Sequence, residues 1–329
     1  MSDLSRLAGK RFLVLGRAGM DLYPDPPGTR TQDAVQFFAC LGGSSGNIAA
    51  ALSRQGARVC LISKLSDDAI GRFTRAELAK YRIDDRYVAL AQGDARTTLA
   101  FAETRVEDHQ SVIYRNGAAD FSLTAGDVAA VDFAAFDALI VTGTALAAEP
   151  SRGAVFHAFD LARAAGVPVI LDIDYRPYSW PSADVAADTY TRAAAVCDVV
   201  IGNDVEFGVL AGAAAKGLAR ARDLAATTAQ IVVYKRGEEG AVTFAGGTEH
   251  RTGIYPVAAL KPTGAGDAFM GSFVCALADG LGLRDAVLRG SAAAAIVVGR
   301  VGCAPAMPTT SELNAFLARH TGATTPLKD

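Results

Sequence analysis

The sequence predicts an α/β protein, a mainly parallel sheet covered by helices with a small β appendage. Three observations carry that reading. Short β-branched runs alternate with alanine-rich helical segments along most of the 329 residues, the pattern of crossover βαβ units. Two segments break the rhythm: residues 22–38, with prolines at 24, 26 and 27, and residues 97–115, where two alternating runs flank a polar link. Hydrophobic residues make up 50% and charged residues 20%, close to ordinary globular usage of about 45–50% and about 25%.

Taken in order, residues 11–16 read as a strand, 47–54 as a helix and 58–63 as a strand, which makes one βαβ unit. The alternation resumes with a strand at 137–142, a helix at 151–165, a strand at 167–173, a helix at 183–195 and a strand at 198–201. A helix at 217–226, a strand at 230–234 and helices at 265–278, 284–298 and 310–319 complete it. Residues 97–104 and 111–115 read as strands of a small lid outside the main sheet, together with the proline-bearing segment. The tail, 321–329, is expected to be loose.

Charge narrows the function classes. The 32 basic and 35 acidic residues leave a net charge of -3 without any long basic run, so nucleic acid is not an expected partner. No apolar stretch approaches the roughly 18 residues of a membrane span, and the N-terminus lacks a signal-peptide core. A cytoplasmic location and no membrane partner are therefore expected. Five widely spaced cysteines and four scattered histidines suggest neither a disulfide framework nor a metal clip. The chemistry must lie with carboxylates, amides, basic groups and glycines.

The most informative stretch is Lys261-Pro262-Thr263-Gly264-Ala265-Gly266-Asp267, where small residues open a helix. Unpaired N–H groups and the positive dipole end make such a start an anion cradle. Asp267 reads equally as a capping carboxylate or as a base placed to accept a hydroxyl proton. Gly42-Gly43-Ser44-Ser45-Gly46-Asn47 precedes a second helix but lacks P-loop order, and Gly16-Arg17-Ala18-Gly19 is not the dinucleotide fingerprint. Lys235-Arg236-Gly237-Glu238-Glu239-Gly240 follows a strand and also reads as a plain hairpin turn.

Together, these motifs and Asn203-Asp204-Val205-Glu206 resemble the ribokinase-like (PfkB) carbohydrate kinases, in order and over nearly the whole chain. The resemblance implies a three-layer fold over residues 1–329, with a lid formed by about 20–40 and 93–118, sugar between lid and sheet, and ATP across the strand ends. It makes Asp267 the catalytic base and the amides of Gly264, Ala265 and Gly266 the anion hole. It assigns Asn203, Glu206, Lys235, Gly237, Gly240 and Thr263 to the nucleotide, with Asn203 and Glu206 meeting Mg²⁺ through water. Gly43, Asn47 and Asp21 fall to the sugar; Asp21 also reads as an Asx turn.

Within the family, residues 16–21, 118–120, 172–178 and 302–308 resemble the branch that phosphorylates 5-dehydro-2-deoxy-D-gluconate at its terminal hydroxyl in inositol catabolism. Kinases of 2-keto-3-deoxygluconate are the competing branch, with fructokinases behind. Arg176, beyond Asp174 at a strand end, offers the planar fork that suits a carboxylate, and Arg115 supplies a second; a structural turn and a solvated strand end are their alternatives. Many relatives bind a monovalent cation beside the anion hole, but Lys261 puts a positive charge near that place, so potassium is doubtful. Free lid edges leave room for a homodimer.

Overall fold

The computed structural model describes residues 2–320; the tail expectation at 321–329 lies outside the described residues. The chain runs β1 (Arg11–Leu15), β2 (Gly19–Asp25), β3 (Gln36–Gly42), α1 (Ser44–Arg54), β4 (Arg58–Leu65), α2 (Ala69–Lys80), β5 (Asp84–Leu90), β6 (Thr98–Ala102) and β7 (Ser111–Tyr114). It continues through α3 (Ala125–Ala129), β8 (Ala138–Thr142), α4 (Ser151–Ala164), β9 (Val169–Asp172), α5 (Ala183–Ala194), β10 (Val199–Asn203), α6 (Asp204–Leu210), α7 (Gly217–Thr227) and β11 (Ile231–Lys235). The hairpin β12 (Ala241–Ala245) and β13 (Thr248–Thr252) precedes α8 (Ala265–Ala278), α9 (Leu283–Val298) and α10 (Thr310–Arg319).

The large sheet has the order β13-β12-β11-β10-β9-β8-β1-β4-β5. Every pair from β11 to β5 is parallel, and β12 and β13 add an antiparallel edge. Helices cover both faces, as a parallel sheet requires. On β1, Phe12 and Val14 pack with Ile48 of α1 and Phe273 of α8, whereas Leu13 and Leu15 face Phe159 of α4 on the other side. Period-two alternation thus divides one apolar run between two cores.

The two segments that break the sequence rhythm form a separate four-stranded sheet, β3-β2-β6-β7. The β2/β3 and β6/β7 pairs are antiparallel, and β2/β6 is parallel. Phe37, Phe101 and Tyr114 line one face of it, with ring centroids 5.4 and 6.0 Å apart. All five cysteines are buried and free. Among the described residues no helix is long and apolar enough to cross a membrane.

Candidate functional site

In an open parallel sheet, side chains brought together for chemistry lie beyond the carboxyl ends of the strands. Here the ends of β1, β8, β9, β10 and β11 meet the N-termini of α1 and α8. Gly264 is the N-cap of α8 with φ 84° and no side-chain cap, so the first-turn N–H groups stay available to an anion. The left-handed backbone suits glycine, and a Cβ there would stand 2.8 Å from Cys303 Sγ. The Thr263 hydroxyl is buried without a partner.

Asp267 lies in that first turn. Asn47 of α1 donates from Nδ2 to Asp267 Oδ2 at 2.8 Å, and the same helix pair is tied farther along by Gln55 Nε2 donating to Ser272 Oγ at 2.5 Å. Asn47 Oδ1 is buried and unpartnered. Burial, reinforced by the charge of Asp174, pushes the Asp267 carboxyl up to about 6, with Asn47, Arg176 and Arg17 pulling the other way. Asp267 makes no side-chain cap for α8, so its carboxylate is held by Asn47 rather than spent on the helix start.

Lys261 is fully buried. Its ammonium donates to the Thr263 carbonyl at 2.5 Å and the Val297 carbonyl at 3.5 Å. Because a peptide unit is planar and trans, turning the Thr263 carbonyl towards Lys261 turns the Gly264 N–H the opposite way. On the other side of the helix start, Lys235 Nζ lies 3.4 Å from where a Cβ on Gly266 would stand. Lys235 ends β11, and the turn after it closes with Arg236 N–H donating to the Gly240 carbonyl at 2.7 Å. Gly237 and Gly240 therefore sit in a hairpin turn to the antiparallel β12.

Asn203 and Glu206 form a capping box on α6: Asn203 Oδ1 accepts from Glu206 N–H at 2.9 Å, and Glu206 Oε2 accepts from Asn203 N–H at 2.6 Å. The pair is no exposed helix couple, since Glu206 is buried and its Oε1 accepts from Tyr175 N–H at 3.3 Å. Burial raises Glu206 and Asp172 above the carboxylate range, and the charge of Lys235 opposes this in both. These hard oxygen donors suit a Mg²⁺-bound nucleotide, although among the described residues no three metal-binding side chains form a cage.

On the sugar side, Asp21 of β2 is buried, and burial pushes it up to about 6 against the charges of Arg17 and Lys261. Gly43 caps α1 with φ 83°. Asp174 has a left-handed backbone, φ 42°, a strained conformation that clusters at functional sites. Its carboxylate accepts from Thr144 Oγ1 at 3.2 Å and pairs with Arg176 at 2.7 Å. Arg115 is buried rather than solvated: it pairs with Asp120, donates to the Thr144 carbonyl at 3.1 Å and lies 3.9 Å above the Phe121 ring. Arg17, Thr144 and Asp172 also stand in the site. Their places at or just past strand ends are the signal in the sequence that points to them.

Similarity to known proteins covers the same elements. The model of the pfkB family of carbohydrate kinases matches residues 10–310. A protein of Photobacterium profundum named 5-dehydro-2-deoxygluconokinase is 39% identical over 311 residues, 93% of this chain and 94% of its own length. Its namesake in Geobacillus kaustophilus is 34% identical over 314 residues, 94% of each. Among solved structures, a PfkB protein from Polaromonas sp. JS666 superposes with a TM-score of 0.80 at 30% identity, covering 93% of this chain and 99% of that one. A Vibrio cholerae fructokinase double mutant, solved with fructose, ADP and potassium, superposes at 0.81 with 25% identity, covering 93% and 98%. With the family model spanning both the buried aspartate at the helix start and the strand ends around it, the chain belongs to the pfkB family of carbohydrate kinases.

Proposed function

We propose that the chain transfers the γ-phosphoryl group of ATP to the terminal hydroxyl of 5-dehydro-2-deoxy-D-gluconate. The observation that carries this is Asp267, a buried carboxylate with a raised pKa at an uncapped helix start, in a chain 34–39% identical to proteins named for that activity. Asp267 accepts the hydroxyl proton as the acceptor oxygen bonds to the γ-phosphorus and the bond to the β-phosphate oxygen breaks, releasing ADP. The N–H groups of Gly264, Ala265 and Gly266 stabilise charge on the transferring group. Lys235, Thr263 and the turn at Gly237 and Gly240 hold the nucleotide; Asn203 and Glu206 would hold Mg²⁺ through water. Mg²⁺, when bound, neutralises phosphate charge.

On this reading the four-stranded sheet acts as a lid, formed by about 20–40 and 93–118. It carries Asp21 to the sugar and excludes water, a competing acceptor. Gly43, Asn47, Asp174, Arg176 and Arg115 shape the sugar site beside it. The test is ATP-dependent phosphorylation, read by mass spectrometry, of 5-dehydro-2-deoxygluconate, 2-keto-3-deoxygluconate and fructose side by side. A kcat/KM for the first at least about tenfold above the others is expected; preference for either other substrate would replace the reading.

The buried ammonium of Lys261 supplies a fixed cation beside the anion hole. Exchanging potassium for sodium is accordingly expected to leave kcat within about twofold, and a clear potassium requirement would contradict this role. The aromatic face of the lid sheet, where Tyr114 is 62% exposed, supports a homodimer through the lid. Light scattering is expected to give twice the chain mass for the wild type and a monomer for Tyr114→Glu combined with Phe101→Ser. A wild-type monomer would remove the dimer.

A further inference from the structure

Arg17 lies two residues past β1, in the loop that leads into β2. Its backbone is held by the start of α1: the Arg17 carbonyl accepts from Gly46 N–H at 3.1 Å, and a Cβ on Gly43 would stand 2.6 Å from that oxygen. The residue is 6% exposed, and Nε is buried without a partner. Among the described residues, no hydrogen bond or ion pair engages its guanidinium.

The other two arginines of the site differ from it in this respect. Arg115 is paired with Asp120 and Arg176 with Asp174. The groups that feel the charge of Arg17 are Asp21 of β2, Asp267 of α8, Tyr178 beyond β9 and Arg115 beyond β7. Arg17 thus stands among the sugar-site residues with its donors unused. Its Nε is out of reach of water and no anion stands beside the guanidinium, an unfavourable arrangement for a nearly buried charge that a bound carboxylate would relieve.

We propose that Arg17 binds the carboxylate of the sugar acid, while Arg115 and Arg176, already neutralised, shape the walls around it. The proposal rests on the sugar-acid reading above. It assigns both ends of the substrate: the carboxylate to the guanidinium beyond β1, as a two-pronged ion pair, and the terminal hydroxyl to Asp267 at the start of α8. A neutral sugar would leave Arg17 unpaired, so selectivity for acids follows from the cost of that unpaired charge.

The experiment compares Arg17→Gln and Arg176→Gln with wild type. It measures KM for 5-dehydro-2-deoxy-D-gluconate and for ATP, inhibition constants for D-gluconate and D-glucitol, which differ only in carboxylate against alcohol, and the melting temperature without ligand. For Arg17→Gln, KM for the acid and the gluconate constant are expected to rise at least about 30-fold, the effect of removing one partner of a buried charge pair. ATP and glucitol are expected to change less than about threefold, and the melting temperature is not expected to fall.

Equal weakening of gluconate and glucitol would overturn the proposal, as would a carboxylate-selective loss confined to Arg176→Gln. A lowered melting temperature with ATP binding weakened in parallel would make Arg17 structural and overturn it too. If wild type does not phosphorylate the acid, yet binds gluconate in an Arg17-dependent way, the substrate reading fails and the carboxylate site stands. If wild type does phosphorylate it and Arg17→Gln is unaffected, only the assignment of Arg17 fails.

Discussion

Replacing Asp267 with asparagine is expected to lower kcat by about 10²–10⁴-fold, the usual contribution of general-base assistance, with the fold retained. The substitution preserves shape, and the asparagine oxygen still accepts from Asn47, which bonds the native carboxylate at 2.8 Å. What disappears is the capacity to take a proton. Circular dichroism and steady-state kinetics check both halves, and near-normal turnover in a folded variant would remove Asp267 from the role of base.

The same residue is expected to set the acid limb of the wild-type pH profile. Because burial pushes the Asp267 carboxyl up to about 6, the fraction able to accept a proton falls as pH drops through that value. kcat/KM is therefore expected to decline below about pH 6 and to level off above it. Asp21 titrates in the same range, so Asp21→Asn is the control: a limb that survives this change belongs to Asp267.

Replacing Arg115 with alanine is expected to destabilise the protein by about 3–5 kcal/mol, the effect of breaking a buried ion pair from one side. The Arg115 and Asp120 side chains are 5% and 4% exposed. Asp120 also accepts from Thr98 Oγ1 of β6 at 3.0 Å, and Arg115 reaches the Thr144 carbonyl beyond β8. This network ties the four-stranded sheet to the large sheet, and its loss leaves a buried carboxylate without its counter-ion. Arg115→Met with Asp120→Leu is expected to recover much of the loss. Chemical denaturation checks both. Wild-type stability with weakened acid binding alone would instead place Arg115 on the substrate.

Particular elements show why some parts of the fold are legible in the sequence. The expected helices 265–278 and 310–319 coincide with α8 and α10: a run of small residues opens α8, and the Thr309–Glu312 capping box opens α10. The interior strands β1, β8, β9, β10 and β11 each hold an apolar run with a polar residue only at one end, as strands covered on both faces require. The edge strands of the large sheet are not legible in this way. β5 opens Asp84-Asp85-Arg86, and β13 reads Thr-Glu-His-Arg-Thr, charged sequences that protect free sheet edges and erase the usual strand signal. The helix α2, before β5, was missed as well; its cap by Asp68 was an available sign.

Local residue types and spacing suffice for the mainly parallel sheet, the separate β sheet where the rhythm breaks, and the small-residue start of α8. Which cations of the site are free depends instead on the three-dimensional packing. Arg115 and Arg176 meet carboxylates through the turns after β7 and β9, Lys261 is spent on two carbonyls, and Arg17 is left unpaired between α1 and the four-stranded sheet. An ion pair forms or fails over a few ångströms, and distances on that scale are set by backbone turns and packing, which residue type does not encode.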